Sequence, residues 1–245
     1  MVLAFGLGFV LLGVGSGGGS GLSDVFQNIF SGGSSGPSVK SLQKRVTQNP
    51  KNAEAYFKLG EALERDAQTA EAIAAYEQYV KLRPKSLEGL NQLAALYGKQ
   101  ARTESDEGRL ALVDIQVARL NQFGPAPTSQ LGLALTPRLD TIEQAVYQAA
   151  NERYRAALDR SGATGKKVLD VYERIAALSP NDASAQLQVA ITAQPIGEFE
   201  TALTAYRRFL ELAPDDPQAA YAKEQIKTLE KQVRSGPTSV TSPPG

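Results

Sequence analysis

The chain has 245 residues, 26 basic and 26 acidic, with no His, Cys or Trp and one Met. Without thiolate or imidazole there is no Ser-His-Asp triad, no Cys nucleophile, no zinc finger and no disulfide. Zero net charge argues against a dedicated nucleic-acid binder, which carries a basic excess or stripe.

The first charged side chain is Asp24, and Val2 to Val14 form an apolar run containing three Gly. At ~1.5 Å per helical residue such a run reaches about 21 Å, short of a ~30 Å hydrocarbon core unless the uncharged Gly/Ser stretch after it is included. Two readings stay open. One is a membrane anchor over residues 1–21 whose upstream basic end is absent from this sequence. The other is a cleaved signal segment, although neither a basic start nor an Ala-x-Ala site accompanies it. We read the run as an anchor. Residues 22–38 then form a flexible linker, with Leu22, Val25, Phe26, Ile29 and Phe30 at helical spacing as a short amphipathic island.

From Val39 the pattern is helical almost without interruption to Val233, and strand alternation is essentially absent. This predicts an all-α domain over residues 39–234, followed by a disordered tail at 235–245. Proline punctuates it at Pro50, Pro84, Pro180 and Pro214, with a spacing of 34 residues within each of the two pairs. The residue before Pro is pushed out of the helical region, so each marks a helix end. The units that end at Pro84 and Pro214 align: Leu59 with Val189, Gly60 with Ala190, Ala72 with Ala202, Tyr76 with Tyr206, and Tyr79 with Phe209. Small residues at 60, 72, 190 and 202 allow close approach of paired helices, and the Tyr residues fill the gap beside them.

These positions resemble the tetratricopeptide repeat family. The first unit carries Tyr56, Leu59, Gly60, Ala72, Tyr76 and Pro84 in the family's pattern, and the second carries Ala190, Gly197, Ala202, Tyr206 and Pro214. Ala67 stands where the family has a turn Gly. Tyr79 and Phe209 stand where it usually has Ala, which suggests a wider helix spacing. Pro195 predicts that its helix ends early or kinks. The resemblance implies an antiparallel helix-pair solenoid, a tetratricopeptide-like superhelix.

The middle is degenerate. Helices are expected over Leu87–Lys99, then from Asp106 to Gln122 with Ser105 as N-cap and a stripe of Leu110, Val113, Val117 and Leu120. A loop follows over Phe123–Leu135. A long helix then runs from Pro137 to Arg160, with Leu139, Ile142, Val146, Ala149 and Tyr154 on one side. Residues Ser161 to Gly165 break it, and the stretch from Lys166 to Pro180 reads as a repeat's second helix. This makes four pairs, the second and third stretched, and nine to ten helices in all. A last helix over Pro217–Val233 caps the stack with Ala222, Ile226, Leu229 and Val233.

Carboxylate pairs occur at Glu61/Glu64, Asp106/Glu107 and Asp215/Asp216, all read as exposed or first-turn polar residues and not as catalytic pairs. The run Ser161 to Lys167 superficially resembles a phosphate loop but lacks the preceding strand and full spacing. No catalytic residue, metal site, cofactor or small-molecule substrate is expected. In the family the first helix of each pair lines a groove that binds peptides or helices. Carried over by position, the groove consists of Phe57, Glu61, Glu64, Asn91, Leu187 and Ile191, joined by Glu54, Ala95, Gly98 and Gln194. Phe57 and Glu61 replace the Lys and Asn of the family's carboxylate-tail clamps, so a different ligand is implied. The residues assigned to repeat packing are Leu59, Gly60, Ala72, Tyr76, Ala190, Ala202 and Tyr206.

The expected protein is a non-enzymatic, membrane-tethered scaffold that binds a peptide or helix of another protein, with no nucleic-acid partner. The expected location is a bacterial cell envelope. The basic residues that follow the run, Lys40, Lys44, Arg45 and Lys51, taken literally put the repeats in the cytoplasm; basic residues upstream of the run would put them outside, the orientation favoured here. The alternative is a secreted or envelope adaptor that presents a substrate protein to a separate enzyme, as in envelope assembly or cytochrome c maturation.

Overall fold

The computed structural model describes residues 37–118 and 129–235, and for residues 118, 131–140 and 235 the helical backbone alone. The expected anchor at 1–21, nearly all of the linker at 22–38 and the tail beyond Ser235 lie outside the described residues. Among those described, no helix is long and apolar enough to cross a membrane.

The described residues contain eight α-helices and no strand: α1 Val39–Gln48, α2 Ala53–Arg65, α3 Thr69–Leu82, α4 Leu87–Ala118, α5 Gln130–Leu178, α6 Ala183–Ala193, α7 Phe199–Leu212 and α8 Ala219–Ser235. A 3₁₀ turn over Gln194–Ile196 joins α6 to α7. Side-chain caps start several of them. Ser38 Oγ accepts from Ser41 N, and Asn52 Oδ1 from Ala55 N at 3.1 Å. Ser86 Oγ accepts from Gly89 N at 3.2 Å, and Asp182 Oδ1 from Ser184 N at 2.9 Å. Each satisfies an amide that the first helical turn leaves without a partner.

Each helix packs mainly on its neighbours in the chain, the contact pattern of a solenoid. The fold is an all-α stack of antiparallel helix pairs, closed by α8, which buries Ala222 and Leu229 against α7. The turns within the first and last pairs share a backbone signature: Ala67 has φ +57° and Gly197 φ +81°. Pro195 lies in the 3₁₀ turn after α6, which ends at Ala193.

Leu59, Gly60, Ala72, Tyr76, Ala190, Ala202 and Tyr206 are all buried, most of them completely. The two tyrosines make equivalent bonds. Tyr76 donates to Glu64 Oε2 and Tyr206 to Gln194 Oε1, both at 3.1 Å. The Tyr79 ring lies over Gly89 of the next helix, whose missing side chain leaves the space, and its hydroxyl bonds Ser86 at 3.0 Å.

The stretched middle is one repeat with a long insertion between its two helices. The first helix of this repeat is the start of α4, which buries Leu90, Leu93, Ala94 and Tyr97. The second is the end of α5, which buries Val168, Leu169, Val171, Ile175 and Ala176. Between them α4 and α5 continue unbroken as an antiparallel two-helix arm. Its register is marked by Glu107–Arg160 at 2.6 Å and Asp114–Arg153 at 2.7 Å, one heptad apart on each helix. The arm's seam buries Glu104, Gly108, Ala111 and Ile115 against Ala150, Ala157 and Thr164. Alternating steps of three and four residues are those of a coiled coil. Ala111, Ile115, Ala150 and Ala157 are buried yet lie outside the main core cluster.

The expected details of the middle are corrected accordingly. Ser105 is inside α4 and caps nothing. The stripe assigned to Leu110, Val113 and Val117 faces outward, with Leu110 67% exposed. Ile142 and Val146 are exposed as well, while Leu120 and Leu139 fall outside the described side chains. The helix begins at Gln130, seven residues before Pro137. Ser161 to Gly165 remain helical. A Cβ on Gly165 would lie 2.6 Å from Ile196, so this glycine serves a close approach and not a break. These two mergers, in α4 and in α5, account for eight described helices where nine to ten were expected.

Candidate functional site

Among the described residues the first-helix faces and a groove between second helices are exposed surfaces of the stack.

The first-helix face differs from the expected groove at two places. Phe57 is only 8% exposed and Leu187 only 5%. Phe57 meets Tyr76 edge-on at 5.4 Å between ring centres and Tyr79 at 4.9 Å. The extra aromatic at position 79 gives Phe57 an apolar partner inside the stack, and burial there wins over exposure in a groove. Glu64 is half-buried and accepts the Tyr76 hydroxyl. Burial first, and then the nearby Glu64 carboxylate, push the Tyr76 phenol above its ordinary range. Glu61, Asn91 and Ile191 remain exposed, Ile191 at 39%. Ala95 is exposed beside them, and Glu61, Ala95 and Ile191 occupy the same place in successive repeats. Glu54 on this face pairs with Lys58 at 3.6 Å.

The groove lies where α3 and the end of α5 both pack on α4 but scarcely on each other. It holds about 510 Å³ and is lined by Glu77, Val80, Lys81, Pro84, Leu93, Tyr97, Lys166, Lys167, Asp170, Val171 and Arg174. The Tyr97 hydroxyl donates a short hydrogen bond to Glu77 Oε1, and the Lys167 ammonium stands 5.3 Å from the centre of the Tyr97 ring. Burial, then the bond to Glu77, hold the Tyr97 phenol above its usual range. Lys166 is paired with Glu198 at 3.3 Å. Sequence reasoning missed this groove. Its residues come from segments about seventy positions apart, and only the insertion reading of the middle brings them together.

The carboxylate pairs are accounted for by local contacts or exposure. Asp106 bonds Arg109, Glu107 pairs with Arg160, and Asp216 Oδ1 accepts from Gln218 N at 2.8 Å. The run Ser161 to Lys167 lies inside α5, where its amides serve the helix.

Residues 54–86 and residues 165–227 each match the tetratricopeptide repeat family. Over those two stretches the chain is similar to tetratricopeptide repeats. The interval between the two matches contains α4 and most of α5, the helices of the insertion. No curated protein matches the chain.

Among solved structures, a MamA RS-1 double mutant is 14% identical, covers 80% of this chain and 84% of its own, and superposes with a TM-score of 0.40. YrrB, described as a TPR protein with an unusual peptide-binding site, is 16% identical over 76% of this chain and 100% of its own, with a TM-score of 0.25. MamA from residue 41 to its end, from Desulfovibrio magneticus RS-1, is 18% identical over 76% and 97%, with a TM-score of 0.24.

Proposed function

We propose that the chain is a non-enzymatic scaffold that holds a peptide or helix of a partner protein along its first-helix faces. The observation that carries this reading is the row of Glu61, Ala95 and Ile191, exposed at the same place in successive repeats. A regular row of open positions suits an extended or helical segment lying across the stack. Phe57 and Leu187 are withdrawn from it, so the row is charged at Glu61 on α2 and apolar at Ala95 on α4 and Ile191 on α6. The uncharged run Val2–Val14 supports a membrane tether for this scaffold.

The binding reading is tested by panning a phage-displayed peptide library on the full chain, then comparing Ile191→Asp and Glu61→Lys with wild type. Loss of the selected peptides with unchanged thermal melts is the expected result. Equal binding by both variants would remove the first-helix face from consideration. The tether is tested by fractionation: the full chain should resist high-salt extraction from membranes, and deletion of residues 1–21 should release it.

A further inference from the structure

We propose that the groove between α3 and the end of α5 is a second docking site, separate from the first-helix face, for an acidic peptide segment carrying an aliphatic or aromatic side chain. The floor is apolar and comes from three helices: Val80 of α3, Leu93 and Tyr97 of α4, and Val171 of α5. At about 510 Å³ it has the volume of an ordinary ligand cleft.

The rim selects the charge of the occupant. Lys81, Lys167 and Arg174 line it without a carboxylate partner among the described residues, whereas Lys166 is already held by Glu198. Glu77, which accepts the Tyr97 hydroxyl and keeps its charge, and Asp170 are the two rim carboxylates, so with Lys166 held by Glu198 three cations face two anions and the rim is net positive by one. A basic segment would meet net repulsion there, and a neutral one would leave the cations without partners. Carboxylates on either side of an apolar side chain match both the rim and the floor. Such complementarity sets specificity and encounter rate, and it weakens with salt.

The site is on the far side of α4 from the proposed row. Leu93 and Tyr97 are buried under the groove, while Asn91 and Ala95 of the same helix are exposed elsewhere on its surface. The two sites can therefore be disabled separately.

The test pans phage-displayed random twelve-residue peptides on the immobilised full chain and measures the selected peptides by fluorescence anisotropy. The expected result is a class of binders with at least two carboxylates flanking an aliphatic or aromatic residue. Their affinity should fall at least tenfold in Lys81→Glu/Lys167→Glu, fall with added salt, and stay unchanged in Ile191→Asp. Both lysines are exposed, and Lys167→Glu also removes the contact over the Tyr97 ring, so Lys81→Glu alone, with a thermal melt of each variant, separates lost binding from lost stability. Selection without acidic enrichment, or equal binding by the double variant, overturns the proposal. Binders lost only with Ile191→Asp would leave the first-helix reading standing and this one refuted. Self-association of the full chain that disappears in the double variant would make a second copy the occupant, and would also overturn it.

Discussion

The ring of Tyr79 fills the space that any side chain at position 89 would need: a Cβ built on Gly89 lies 2.4 Å from two ring atoms of Tyr79. The tyrosine is fixed from both sides, by Phe57 at 4.9 Å and by its hydroxyl bond to Ser86. Gly89→Ala should therefore destabilise the chain by about 1–3 kcal/mol, the usual cost of overpacking. In a Tyr79→Ala background the same change should become neutral or favourable by up to about 1 kcal/mol, the helix preference of Ala over Gly. A double-mutant cycle from denaturant melts measures the difference. Additive effects would contradict the contact.

Ala67 occupies the left-handed region with φ +57°, where the last repeat has Gly197 at φ +81°. A side chain there costs roughly 1–2 kcal/mol, part of which Gly returns through its greater freedom in the unfolded chain. Ala67→Gly should stabilise by about 0.5–1 kcal/mol, seen as a rise of about 1–4 °C in Tm. A lower Tm would mean that the turn is not built as described.

Asp182 caps α6, and the Ser184 hydroxyl bonded to it at 2.7 Å, with the amides of Ala185 and Ser184, lowers its pKa. The folded state thus holds the proton less tightly than the unfolded chain. The cap's contribution is present above the ordinary carboxylate range and is lost as pH falls through the lowered folded value. Asp182→Ala should cost about 0.5–2 kcal/mol at neutral pH and less in acid. Asp182→Asn should keep the cap without its acid sensitivity. Melts at neutral and acid pH check the sign.

The arm's register can be locked covalently. A Cβ on Gly108 lies 3.4 Å from that of Ala157, close to the ~3.8 Å mean of disulfides. The chain contains no other cysteine to interfere. Gly108→Cys with Ala157→Cys should oxidise to an intramolecular bridge and stabilise by about 2–4 kcal/mol. Leu110→Cys with Ala157→Cys should not, because Leu110 points outward. Mass spectrometry of the alkylated proteins distinguishes the two. A bridge in the second pair alone would move the register.

The terminal repeats were legible because their cues are local. The spacing of Pro50 and Pro84, the small residues at 60 and 72 and the aromatic at 76 all fall within one repeat. The arm was not legible, and for a definite reason. Its seam is built largely from Gly108, Ala111, Ala150 and Ala157, which permit two backbones to approach but carry little hydrophobic signal. The greasiest stripe, Leu110 with Val113 and Val117, lies on the other side of the same helix. Choosing the most apolar face therefore chose the wrong one. Phe57 shows the converse error. Its place in the repeat pointed to a groove, but the aromatic at Tyr79, an unusual residue there, drew it into the core.

The insertion also sets an order of assembly. A regular solenoid can nucleate at any repeat and propagate to its neighbours, because each unit is contiguous in the chain. The second unit here is not: Tyr97 and Lys167 meet across it only after a long intervening segment has been closed. Closing that segment in one step would exact a loop-entropy penalty, whereas zippering α4 against α5 divides the penalty into short steps. On this argument the stack formed by α2 and α3 and the stack formed by α6 to α8 are expected to form independently of each other and to join once the zipper reaches its base.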